Sequence, residues 1–139
     1  MTDVAQSTLP SLISRQEKEI LDEWVKLQLS SDTHRNDLAT EKDVRTESQR
    51  FLEATRKAIA TGMDVRTSEW EDVRKLVTEL SQSRARQGFS PTETATFILS
   101  LKQPLFSRLR TELAEDPAAM ADATWAASTL LDKLGLPRG

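Results

Sequence analysis

The sequence predicts an all-α fold, a single domain of about five main helices. Its apolar residues recur at helical spacing along the whole chain, and no segment alternates strictly enough to indicate a strand. Four glycines and no tyrosine leave little material for hairpins and aromatic strands. With 139 residues, the chain is long enough to bury one shared core and too short for two comfortable ones.

The first three predicted helices are amphipathic. They span about residues 8–30, 41–61 and 68–87, and each places its apolar side chains on one face at ~100° per residue. Trp24, Phe51 and Trp70 lie on the inward faces of these three helices, in that order. Acid-before-base pairs four residues apart, such as Glu53 with Lys57, indicate the same helices independently.

Residues 83–97, SRARQGFSPTETATF, predict a corner between the third and the fourth helix. Gly88 follows the third helix where a left-handed residue would end it. Ser90 then caps the fourth helix, and Pro91 takes its first position, where no amide donor is needed. Glu93 stands at the position that completes a capping box with Ser90.

Phosphate or DNA binding is the alternative interpretation of this corner. A phosphate loop needs several glycines and a lysine, whereas the segment has one glycine and no lysine. A helix-turn-helix needs positive charge at the start of its second helix, and PTETAT supplies none. We therefore expect Arg84 and Arg86 to be exposed residues that interact favourably with the end of the third helix. A contact with an anion or a partner remains the alternative for these two arginines.

The fourth predicted helix, about residues 91–115, has an apolar arc over roughly half its circumference, which includes Leu99 and Phe106. A helix that packs against the core on one side only would need a narrower apolar arc. Pro104 should kink this helix, because it has no N–H to donate to the carbonyl of Ser100.

The last predicted helix, about residues 117–135, has two unlike faces. Alanines and leucines point inward, whereas Trp125 lies nearly opposite, with Ala121 and Ser128 on its flank. A large aromatic residue among small ones indicates a contact with another helix. The alternative is a single exposed tryptophan that has no partner.

Composition argues against several classes of protein. The chain has a net charge of −3, whereas nucleic-acid-binding proteins typically carry an excess of positive charge. Without cysteine there is no disulfide, thiolate nucleophile or cysteine metal site, which fits a reducing cytoplasm. The sequence also shows no secretory signal and no apolar run long enough to span a bilayer. We therefore expect a cytoplasmic protein that binds neither nucleic acid nor membrane.

Catalytic constellations are missing as well. The single histidine, His34, lies in the polar connection SSDTHRND, where a solvated residue is expected. No nucleophile stands beside a base, and no Glu-x-x-His motif is available for a di-iron site in a helical bundle. The sequence thus predicts neither enzyme activity nor a metal site.

Three segments carry a family resemblance: LISRQEKEILDEWVKLQL, ESQRFLEA and SRARQGFSPTETATFILSLKQPLF. Together they resemble the N-terminal sensor domain of the RsbR co-antagonists, the RsbRD type, over most of the chain. The resemblance implies a globin-like helical domain that binds no haem, forms homodimers and precedes a STAS domain or another signalling output. It also implies a place in the stressosome, the bacterial cytoplasmic scaffold that sequesters a switch kinase until stress releases it.

The sequence agrees with the resemblance where haem is concerned. A haem-binding globin needs a proximal histidine on the helix before its last two long helices, and residues 68–87 contain none. We therefore expect no cofactor. The predicted sensor domain covers residues 1–136, and residues 137–139 resemble the start of a linker, with no STAS domain after them.

Two functions stay open. The first is a non-enzymatic signalling input domain that dimerises through its last two helices and acts on stressosome or other signalling proteins. Its candidate interface consists of Trp125, Ala121, Ser128, Leu99 and Phe106. The alternative is a small-ligand sensor with a pocket in the helical core under Trp24, Phe51 or Trp70, although large inward aromatics are more often plain core.

Overall fold

A computed structural model describes residues 2–30 and 40–135. Within these ranges the chain forms α-helices, one short 3-10 helix and no strand, which confirms the predicted all-α class. The helices are α1 (Thr2–Arg15), α2 (Glu17–Ser30), α3 (Glu41–Ile59), α4 (Glu71–Gln87), α5 (Pro91–Leu99), α6 (Lys102–Glu112) and α7 (Pro117–Gly135), with the 3-10 helix Ser68–Trp70 before α4. His34 and the predicted linker at 137–139 lie outside the described residues.

The first predicted helix is two helices in the structure. α1 and α2 meet at Gln16, whose N–H donates to the carbonyl of Leu12 and whose carbonyl accepts from Ile20, both at 2.9 Å. The hydrogen bonds therefore continue through the bend. The bend lets α1 pack mainly against α7, while α2 packs mainly against α3.

The fourth predicted helix is also divided, and Pro104 explains where. Because Pro104 has no N–H, the carbonyl of Ser100 accepts from the N–H of Gln103 instead, at 3.3 Å. Helical bonding resumes when Leu105 donates to the carbonyl of Leu101, at 3.3 Å. The kink expected from the sequence thus separates α5 from α6.

This division accounts for much of the broad apolar arc. α5 packs against α7 and α4, whereas α6 packs against α7 and α2. Phe97 and Ile98 are buried on α5, and Leu105 and Leu109 are buried on α6. Because each half has its own buried face, most of the arc is used inside one molecule.

The corner between α4 and α5 has the predicted geometry. Gly88 adopts a left-handed conformation with φ 105°, and the N–H of Phe89 donates to the carbonyl of Arg84 at 2.9 Å. The hydroxyl of Ser90 accepts from the N–H of Glu93 at 3.1 Å, and the carboxylate of Glu93 accepts from the N–H of Ser90 at 2.8 Å. Both ends of the corner are therefore closed by local hydrogen bonds.

α7 lies at the centre of the packing and contacts α1, α4, α5 and α6. Its buried face begins with small residues and ends with large ones: Ala119, Ala123, Ala127, Leu130, Leu131 and Leu134. The alanines let neighbouring helices approach closely, and the leucines fill the wider end of the core.

Candidate functional site

Trp125 stands on the outer face of α7 and is 74% exposed. It is the only large hydrophobic side chain that is exposed in the ranges 8–30 and 40–135. Ala123 and Ala127, two positions before and after it, are fully buried, so Trp125 points away from the core. Ala121 is exposed and Ser128 is half-buried, which leaves the tryptophan on a strip of small residues.

The other two candidate interface residues, Leu99 and Phe106, are half-buried and pack against the core. A side-chain atom of Leu99 lies 3.2 Å from where a Cβ on Gly135 would stand. Leu99 therefore packs beside the C-terminal end of α7. From Trp125 to Gly135 is about 15 Å along the helix at ~1.5 Å per residue. The structure therefore does not bring Leu99 next to Trp125, and a shared interface for these residues stays a prediction.

The residues proposed to surround a ligand lie in the aromatic core. The rings of Trp24 and Phe97 stack with centroids 5.1 Å apart, and Phe51 meets Trp24 edge-on at 6.0 Å. The indole N–H of Trp24 donates to the hydroxyl of Ser100 at 2.8 Å, and that hydroxyl donates to the carbonyl of Phe97 at 2.7 Å. Trp24 thus joins α2 to the break between α5 and α6.

Trp70 occupies a separate part of the core. It is fully buried, and its indole N–H donates to the carbonyl of Gly62 at 2.9 Å. This bond ties the start of α4 to the loop that follows α3. All three predicted pocket residues, Trp24, Phe51 and Trp70, are fully buried, as large aromatic residues of a core commonly are. A pocket beneath them stays a prediction.

Arg84 is buried, so the expectation that it is a surface residue is wrong. Its guanidinium binds the carboxylate of Glu47 on α3 at 2.6 Å and lies over the rings of Phe97 and Phe89, with 4.2 and 4.9 Å to the ring centroids. Its Nε has no hydrogen-bond partner. The sequence does contain a signal, since Arg84 follows the buried Leu80 by four residues on the apolar stripe of α4.

A groove of about 480 Å³ lies between α4, α5 and α7. Its lining contains the apolar side chains of Val77, Phe89 and Ile98 and two cationic side chains, Arg74 and Lys133. Sequence reasoning missed this site because α7, which contributes Lys133 and Leu134, is distant in the chain from α4 and α5.

Arg74 is held in place at one end of this groove. Its Nη1 donates to the carbonyls of Val65 and Thr67, at 2.6 and 2.7 Å. In the same loop, Arg66 binds the carboxylate of Asp64 through its side chain, at 3.0 and 3.2 Å, and through its backbone N–H at 3.0 Å. These hydrogen bonds, followed by the charges of Arg66 and Lys133, lower the pKa of Asp64 to about 2.

A family model described as the RsbT co-antagonist protein rsbRD N-terminal domain matches residues 18–136. The chain belongs to this family. The resemblance seen in its sequence is thereby confirmed, and the chain is a stressosome-type signalling N-terminal domain. No curated protein and no solved structure matches it.

The match to the RsbRD family begins after α1, although α1 contributes to the core of this family member. Leu9, Leu12 and Ile13 on α1 are fully buried, and the helix packs against α7. The compact unit in the structure is therefore larger than the matched segment.

Across residues 8–30 and 40–135, no group of three or more histidines, cysteines and carboxylates is placed to hold a metal ion. In the same part of the chain, every helix is too short or too polar to cross a bilayer.

Proposed function

We propose that the chain is a non-enzymatic, haem-free, globin-like input domain that works in the cytoplasm as a homodimer. It relays a signal to an output domain of the STAS type or of another class, within a stressosome or a related signalling assembly. The observation that carries the dimer is Trp125, an exposed indole on the helix at the centre of the packing.

The surroundings of Trp125 favour another helix as its partner. Large aromatic residues anchor interfaces when small neighbours let the partner backbone approach. Ala121, one turn before Trp125, and Ala118, two turns before it, are exposed and add little bulk, and Ser128 lies one turn after it. A second copy of α7 could pack over this strip and cover both tryptophans, in the symmetric manner usual for homodimers.

The position of α7 supports the relay. Its outer face carries Trp125, its inner face packs against α1, α4, α5 and α6, and its last turn touches α5. At Gly135 a Cβ would stand 3.2 Å from side-chain atoms of Ile98 and of Leu99, so the end of α7 fits closely against α5. A small shift of α7 in one subunit would therefore move α5 with it, and this is the kind of change that signalling domains transmit.

The absence of enzyme activity is supported by the residue types present. The sequence has one histidine and no cysteine. In the core, the guanidinium of Arg84 contacts the carboxylate of Glu47 at 2.6 Å and lies over the ring of Phe97. Each group of this pair is engaged by the other, and removal of either one would leave an uncompensated buried charge.

The deciding experiment is Trp125→Glu, measured by sedimentation equilibrium. Loss of an aromatic anchor typically costs ~2 kcal/mol or more of binding free energy, so the dimer dissociation constant should rise by about 30-fold or more. Helical content, measured by circular dichroism, should stay unchanged because the side chain lies outside the core.

Thr46→Glu is the matched control, because Thr46 is exposed on α3 and α3 packs mainly against α2 and α4. Thr46→Glu adds the same negative charge as Trp125→Glu and should leave the dimer dissociation constant unchanged. Trp70→Glu, at a fully buried position, should instead unfold the domain. A Trp125→Glu protein that dimerises as tightly as the Thr46→Glu protein would rule out this interface.

A further inference from the structure

The groove between α4, α5 and α7 carries charge of one sign. Its lining includes Arg74 and Lys133 and no aspartate or glutamate. A second cavity, of about 520 Å³ between α3 and α4, mixes both signs. Its charged lining residues are Arg50, Lys57, Lys75, Glu53, Glu69, Asp72 and Glu79. In a chain with a net charge of −3, the positive lining of the first groove is a local feature.

Both cations lie at the same end of the groove, beside the loop before α4. Arg74 is fixed there by its bonds to the carbonyls of Val65 and Thr67. Lys133 lines the same groove as Val65 of that loop. Its charge also lowers the pKa of Asp64, after the hydrogen bonds and the charge of Arg66. A ligand at this end would therefore meet two positive side chains together.

Neither of these two cations is held in a direct ion pair by a carboxylate whose side chain the structure describes. No carboxylate in residues 8–30 or 40–135 forms an ion pair with Arg74 or Lys133. The carboxylate of Asp64 is bound by Arg66 at 3.0 Å instead. Charge-assisted hydrogen bonds to an anion are thus open to both side chains.

The remainder of the groove is elongated and mostly apolar, with four polar residues in its lining, Thr78, Ser81, Gln82 and Thr94. Val77 on α4, Phe89 in the corner, Ile98 on α5 and Leu134 on α7 contribute aliphatic and aromatic surface. From Arg74 to Ala85, which also lines it, the groove follows α4 for about 16 Å at ~1.5 Å per residue. Its volume falls within the range of roughly 300–1,000 Å³ that is typical of small-molecule sites.

We propose that this groove binds a small amphipathic monocarboxylate. The carboxylate lies between Arg74 and Lys133, and the apolar chain extends along α4 towards Phe89. The inference does not depend on the dimer proposed above, because the groove and Trp125 lie on different parts of α7. Its consequence is that a ligand there would hold α4, α5 and the end of α7 together.

Decanoate is a suitable probe, with decanol and decyltrimethylammonium as partners that keep the chain and change the head group. Titration calorimetry below the micellar range should show saturable binding of one decanoate per protein chain. Decanol should bind about tenfold more weakly because it lacks the charge-assisted hydrogen bonds, and the cationic probe weaker still. Amide shifts in the NMR spectrum should concentrate on groove residues such as Val77, Ser81 and Ile98.

Lys133→Gln tests the cationic end, and Lys133 is exposed, so the variant should fold normally. It should weaken decanoate binding about fivefold and leave decanol binding unchanged. Lys75→Gln, which removes a charge from the lining of the second cavity, is the matched control and should have no effect. Equal affinity for the three probes, an unchanged affinity for decanoate in Lys133→Gln, shifts centred on Trp125, or no saturable binding would each overturn the proposal.

Discussion

Replacing Glu47 by alanine should destabilise the domain strongly, because it leaves a buried charge without its partner. The side chain of Arg84 is 5% exposed and that of Glu47 16%, and their charged groups are 2.6 Å apart. Removing one member of a buried pair costs about 3–5 kcal/mol of unfolding free energy. We expect the lower end, about 3 kcal/mol, since the rings of Phe97 and Phe89 still face the guanidinium and water can enter at Glu47.

Urea unfolding followed by circular dichroism would measure this loss, with Glu53→Ala on the same helix as control. The pair that Glu53 forms with Lys57 has side chains 47% and 66% exposed, so its removal should cost less than about 0.5 kcal/mol. Replacing Glu47 and Arg84 together by leucine and methionine should restore most of the stability, because no charge is then buried. Equal midpoints for Glu47→Ala and Glu53→Ala would refute the reasoning.

Two other predictions concern the corner and the loop before α4. Gly88→Ala should cost ~1 kcal/mol or more because Gly88 has φ 105°, whereas Gly88→Asn should cost less, since asparagine tolerates this conformation better. Equal urea midpoints for the two variants would show that backbone strain at residue 88 does not determine the loss of stability. For Asp64, NMR titration should find a pKa of about 2 that rises towards 3.8 in Arg66→Gln. Because the pKa is lowered in the folded state, the contribution of this group to stability is present above about pH 4 and is lost as the pH falls towards 2. A titration of Asp64 near 3.8 in the unmodified protein would contradict this.

The corner between α4 and α5 was predictable because its geometry is determined by residues that are neighbours in the sequence. A glycine that ends one helix and a Ser-Pro-Thr-Glu sequence that begins the next act over a few positions, independently of the rest of the fold. The break at Pro104 was predictable for the same reason, since proline removes a specific donor.

The bend at Gln16 left no such signal. No proline or glycine stands there, and the helical hydrogen bonds continue across it, so the bend follows from packing of α1 and α2 against different helices. Tertiary contacts of this kind override local preference and are invisible in the local pattern.

The buried arginine and the groove were missed for different reasons. Arg84 continues the apolar stripe of α4, but a charged residue at such a position is ordinarily assigned to solvent. Arg74 and Lys133 belong to helices at opposite ends of the second half of the chain, and only the fold brings them to one groove. Trp125 was recognised as outward-facing because helical periodicity alone fixes the direction of its side chain.

The packing of α1 against α7 has a consequence for the proposed interface. The family match starts at residue 18, yet Leu9, Leu12 and Ile13 are buried before it, so the matched segment leaves out part of the buried core. Detachment of α1 would break these apolar contacts and uncover the buried side of α7. The same helix presents Trp125 on its other side. α1, although it precedes the matched segment, is therefore one of the helices that hold the proposed dimer surface in place.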